Sequence, residues 1–199
     1  MGFLTDYEGD QVIYHGKVYD LDLSYDSVLN VQRLCKDRTI VSPFICLDAA
    51  MKILVGKPAM SLTFPEKQEL LEQIFQEKIA LKPKPKVGKQ IKTVDFELDG
   101  EYIFASFWQD YGIDLLEEQG RLHWKKFVAL FDGLSDKTKI RNIMRIRAAD
   151  IPEMTAHNQK EVQNLIELKS YYALPVEGGG GQKGLDALFS ALETQAVRM

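Results

Sequence analysis

The chain has 199 residues, 45% hydrophobic and 27% charged, with a formal net charge of −4. That is the profile of an ordinary globular protein able to bury one good core, and it argues against a dedicated nucleic-acid binder. No apolar run approaches the roughly 20 residues of a bilayer span, and MGFLTDYEGD at the N-terminus lacks the basic flank and apolar stretch of a secretory signal.

Residues 12–24, VIYHGKVYDLDLS, alternate in the β manner, with Tyr19, Leu21 and Leu23 on one side and Asp20, Asp22 and Ser24 on the other. His15-Gly16 supplies a tight turn, so a small hairpin is predicted. Ser24 or Asp26 is the expected cap of a helix to about Cys35, with Val28, Val31 and Leu34 inward. A second helix starts near Pro43, runs through Phe44, Leu47, Met51 and Leu54, and stops at Gly56. A third opens on a capping box, Thr63 with Glu66, and carries an apolar stripe from Leu70 to Ile79. Cys35 and Cys46 have no close Cys or His companion and read as free thiols of a reduced, cytoplasmic protein.

Residues 82–92, KPKPKVGKQIK, bury almost nothing and cannot form a helix, which makes them an exposed connector. An aromatic stretch, Tyr102–Leu134, follows and contains both tryptophans of the chain. Asp99 is the expected N-cap of a helix ending at Gly112. Its apolar residues cover most sides and leave water a thin stripe at Ser106, Gln109 and Asp110, so central packing is predicted. A helix over about 121–131 turns Leu122, Phe127, Leu130 and Phe131 inward and ends at Gly133. Ser135 or Asp136 is the expected cap of the next, 137–147. A last amphipathic helix, 156–174, uses Val162, Leu165, Ile166 and Leu168.

The fold class predicted is mainly α: a compact multi-helix domain over 1–176 with a small N-terminal β-hairpin. Residues 177–184 are a glycine-rich linker, and 185–199 a tethered amphipathic helix carrying Leu185, Leu188, Phe189 and Leu192.

Catalytic and ligand-binding patterns fail on inspection. Asp95, Glu97 and Asp99 before Gly100 imitate the start of a calcium loop, but Ser106 stands where the bidentate Glu is required. The run GGGGQKG is followed by Leu185, not by the Lys-Ser or Lys-Thr of a phosphate loop. Without a nucleophile, a base and an orienting group in one motif, the expectation is a non-enzyme with no cofactor and no metal. Lys137, Arg141 and Arg145 share one helical face, with Lys139 and Arg147 in the same helix. Nucleic-acid binding is the alternative function these residues offer, against a solvated face or subunit docking.

Several segments in order resemble the gene-product-fifteen-type proteins of long-tailed phages and prophages of Gram-positive bacteria. They are YDLDLSYDSVLNVQRL, Tyr102-Ile103-x-Ala105-Ser106-Phe107, Tyr111-Gly112-Ile113-Asp114-Leu115, His123-Trp124-x-x-Phe127-x-Ala129-Leu130, Gly133-Leu134 and Ile143-Met144-x-Ile146-Arg147. The resemblance runs from about Tyr19 to Leu174. It implies a tail assembly chaperone that binds the tape measure protein and helps recruit tail tube subunits. Such a protein works in the host cytoplasm as a homo-oligomer, without membrane or nucleic acid, and leaves before the virion is finished. The candidate partner or self-association surface comprises Leu185, Leu188, Phe189 and Leu192 with His123, Lys125, Lys126, Arg141 and Arg145.

Overall fold

Strands β1 (Gln11–Tyr14) and β2 (Lys17–Asp20) pair antiparallel, Gln11 opposite Asp20 and Tyr14 opposite Lys17. His15 (φ 47°) and Gly16 (φ 76°) form the turn between them, both in the left-handed region that a two-residue hairpin loop demands. The computed structural model describes residues 9–36, 42–81 and 92–175. Among them are this hairpin and seven α-helices, a mainly α fold as the sequence predicts. The proposed linker at 177–184, the C-terminal helix and most of the lysine-proline connector lie outside the described residues.

The chain divides into two compact units. The first contains 9–36, 42–81 and 119–127 of the described residues. In it α1 (Tyr25–Lys36) packs on α2 (Pro43–Leu54), and α2 on α3 (Phe64–Ile74). The core is Val28, Val31, Leu47, Met51, Leu70, Leu71 and Ile74, with Val12, Tyr19, Leu21 and Leu23 from the hairpin side. Leu21 and Leu23 are buried as the alternation predicts, but Ser24 is buried as well. Asp22 explains this: its carboxylate accepts the Ser24 amide (3.0 Å) and the hydroxyls of Ser24 (2.6 Å) and Ser27 (2.7 Å). The start of α1 is therefore organised by Asp22, and Asp26 instead accepts the Gly120 amide at 2.9 Å.

The capping box of α3 is present, the Thr63 amide and hydroxyl both donating to Glu66 (2.7 and 2.6 Å). The helix then widens into a π turn, Phe75–Ile79, closed by the Ala80 amide on the Phe75 carbonyl at 2.7 Å. Residues 119–127 return to this unit through an isolated antiparallel bridge between Ser24 and His123. The Tyr25 amide donates to the Leu122 carbonyl and the Trp124 amide to the Leu23 carbonyl, each at 2.8 Å. Because that backbone is engaged in a bridge, α5 runs Trp124–Asp132 and not from Arg121. Trp124, only 3% exposed, stacks on Phe127, and Phe127 on Tyr25. The indole N–H donates to the carbonyl of Ile79, at the end of the π turn, at 3.0 Å.

The second unit contains 92–118 and 128–175. It holds α4 (Gly100–Tyr111), α6 (Lys139–Ala148), α7 (Gln159–Tyr171) and the last residues of α5. Ile103 and Phe107 of α4 meet Ile140 and Ile143 of α6 in its core, with Phe131, Leu134 and Val162. The expected water-facing stripe of α4 holds at Gln109, which is exposed, and fails at Ser106. Ser106 has 0% exposure, and its hydroxyl donates to the Tyr102 carbonyl (2.6 Å) and accepts the Ile140 amide (3.2 Å) in the first turn of α6. Trp108, expected from helical spacing to lie alongside the packed face, is 57% exposed.

Two further boundaries, of α6 and α7, differ from expectation, and α4 keeps Asp99 at its N-cap position without the capping hydrogen bond. Helix α6 begins at Lys139, because Ser135 gives its amide and hydroxyl to Asp110 (2.7 and 3.1 Å) while Thr138 occupies the N-cap. Asp99 precedes α4, but its carboxylate is turned to Arg147 instead of capping. Helix α7 is shorter than 156–174, and Ile166, expected inward, is exposed.

Candidate functional site

Buried Ile103, Ser106 and Phe107 fix which side of α4 meets solvent. On the opposite side lie Glu101, Ala105, Trp108 and Gln109, all exposed, with Leu98 just before the helix and Gly112 just after it. Leu98 and Trp108 are each 57% exposed, an apolar stripe with two large side chains and small residues between and beyond them. The inner side is tightly held. The Tyr111 hydroxyl donates to the Leu130 carbonyl at 2.9 Å, its ring meets Phe107 edge-on, and Asp110 holds Ser135. Trp108 is thus presented from a helix whose rotation is fixed within one turn by Leu130 and Ser135. A rigid, exposed indole of this kind suits an anchor in a protein interface.

The acidic turn before α4 is consumed by the fold. Asp95 accepts the amides of Glu97 and Leu98 (3.0 and 3.2 Å) and pairs with Lys92 at 2.6 Å. Asp99 accepts the Asp95 amide and pairs with Arg147. Residues 102–106 are helical, not loop. Among the described residues no group of three or more His, Cys, Asp and Glu is arranged to hold a metal ion. Cys46 is buried and donates to the Leu34 carbonyl at 3.3 Å, and burial pushes the Cys35 thiol up to about 12.

The surface residues predicted from sequence separate into two kinds. His123 serves the fold: its Nδ1 accepts the Lys125 amide (3.0 Å) at the start of α5, and its Nε2 lies 3.3 Å from Asp10. Burial lowers its pKa, Asp10 pulls it back up, and Lys125, Lys126 and Lys78 add to the lowering. Arg141 also serves the fold, donating to the carbonyls of Leu134 (3.2 Å) and Asp132 at the end of α5. Lys126 is exposed and Lys125 half-buried. Arg145 is exposed beside Asn142 (2.9 Å). These residues fall in both units, His123, Lys125 and Lys126 in the first and Arg141 and Arg145 in the second. Leu185, Leu188, Phe189 and Leu192 lie outside the described residues. Sequence reasoning missed the α4 stripe, because an apolar helix gives no sign of which face a neighbour will cover.

The family model described as Bacteriophage Gp15 protein matches residues 9–174. The chain belongs to this bacteriophage family. The match takes in α1 to α7, the α4 stripe among them. No curated protein and no solved structure matches the chain. No helix among the described residues is long and apolar enough to cross a membrane.

Proposed function

We propose that this phage protein is a tail assembly chaperone. In this reading it binds the tape measure protein, helps recruit tail tube subunits, and acts without catalysis in the host cytoplasm as a homo-oligomer. It is released before the virion is complete. The observation that supports it is the exposure of Trp108, on a helix otherwise fixed by its neighbours, and of Leu98 in the turn before that helix. A protein that keeps a long helical client soluble needs apolar side chains held outward on a stable frame, since burial of the client's apolar face is the driving force.

The alternative, nucleic-acid binding through residues 137–147, draws less support. Arg147 and Arg141 are committed to Asp99 and to backbone carbonyls, and Lys139 donates to the Tyr172 hydroxyl at 2.8 Å. Lys137, which precedes α6, and Arg145 remain as exposed charges of that segment. The test is co-expression with the tape measure protein of the same phage. Chaperone activity predicts soluble tape measure protein with this chain and aggregate without it. Equal solubility in both would reject the reading.

A further inference from the structure

The α4 stripe lies in a segment of one charge. Residues 93–118 contain eight Asp or Glu and no Lys, Arg or His. Asp95 and Asp99 are neutralised by Lys92 and Arg147. Asp110 and Asp114 are engaged with the amides of Ser135 and Leu116. Glu97, Glu101 and Glu117 stand exposed. Leu98, Ala105 and Trp108 are therefore exposed apolar residues of an acidic segment, with Lys139 of α6 set against its Tyr102 ring at 6.0 Å. Its helical part, Gly100 to Trp108, rises about 12 Å at 1.5 Å per residue, a little over two turns. Ala105 and Gly112, small and exposed, leave room on either side of Trp108 for another helix backbone.

Resting on the chaperone reading, we propose that this face binds a cationic amphipathic helix of the client, its apolar stripe on Leu98 and Trp108 and its lysines or arginines toward the glutamates. A second copy of this chain fits poorly, because its own α4 would bring the same acidic face and repulsion. Opposite charge at the margins steers the encounter and sets orientation, while the apolar centre holds the complex. A lysine or arginine near the exposed indole adds a cation–π contact.

The test uses the full-length protein and two synthetic helical peptides with one apolar stripe, one lysine-rich and one glutamate-rich on the polar face. Trp108 emission reports the contact, with Trp124 as a buried background. The lysine peptide is expected to shift the emission to shorter wavelength and shield it from acrylamide, an effect weakened by salt. Glu101→Lys should weaken binding roughly tenfold, the scale of one unfavourable pair. Trp108→Ala, followed by anisotropy of a labelled peptide, should abolish binding with the thermal melt unchanged. Equal binding of both peptides, binding of neither, or undiminished binding by Trp108→Ala would overturn the proposal. Co-expression with the tape measure protein separates the two readings. Continued solubilisation by Trp108→Ala leaves the chaperone reading standing and this face excluded.

Discussion

Arg147 and Asp99, 48 residues apart, form a buried two-pronged ion pair, Nη1 to Oδ2 at 2.6 Å and Nη2 to Oδ1 at 2.8 Å. The same guanidinium donates to the carbonyls of Thr93 and Tyr172 (2.9 and 2.6 Å), so the segment before α4, the end of α6 and the residue after α7 are joined by one side chain. With Arg147 and Asp99 side chains only 8% and 2% exposed, removing one partner strands a buried charge. Arg147→Ala should therefore cost about 3–5 kcal/mol in chemical denaturation. Arg147→Lys should recover little, since an ammonium cannot reproduce the planar fork.

The two tryptophans should behave oppositely. Trp124→Phe removes the indole N–H from the Ile79 carbonyl and part of a buried ring, a loss of about 1–3 kcal/mol. Trp108→Ala, at an exposed position, should change stability by less than about 0.5 kcal/mol. Urea melts of both variants check the contrast.

His123 sets a pH dependence. Its folded pKa lies below the ordinary 6.5, first through burial, so the unfolded chain binds more protons in the window below 6.5. Stability then rises with pH across that window, and the contribution is lost as pH falls from 6.5 through the folded pKa. Protonation also takes Nδ1 away as acceptor of the Lys125 amide. Unfolding free energies from pH 5 to 8 should show this slope in the native protein and a flatter one in His123→Asn.

Lys169 closes the end of α6. Its ammonium donates to the carbonyls of Ile146, Arg147 and Ala149 at 3.1, 2.8 and 2.7 Å. Lys169→Met keeps the aliphatic stem and removes the donors, for an expected loss of about 1–3 kcal/mol. Amide exchange should quicken in the last turn of α6 and around α7 before it does in the hairpin.

What the sequence made legible was local. The His15-Gly16 turn, the Thr63–Glu66 box and the stop at Gly133 each depend on residues within a few positions. The orientation of α4 does not, because aromatic residues nearly encircle it and its buried side is chosen by α6. Ser106 looks like a surface residue until Ile140 needs an acceptor. Arg147 counts among the basic residues of its helix without sharing the Lys137–Arg141–Arg145 face, and it follows Ile140 and Ile143 at spacings of three and four, so it falls on the buried stripe. That periodicity was the available signal. The return of 119–127 to the first unit left none, since it is made by backbone bonds to residues about 100 positions earlier.

The proposed function stands on binding of the tape measure protein. The direct measurement is the affinity of the purified full-length chain for purified tape measure segments, read beside Trp108→Ala. Saturable binding by the native protein, weakened at least tenfold by the substitution, is the expected result. A native protein that binds no segment of the tape measure protein would contradict it.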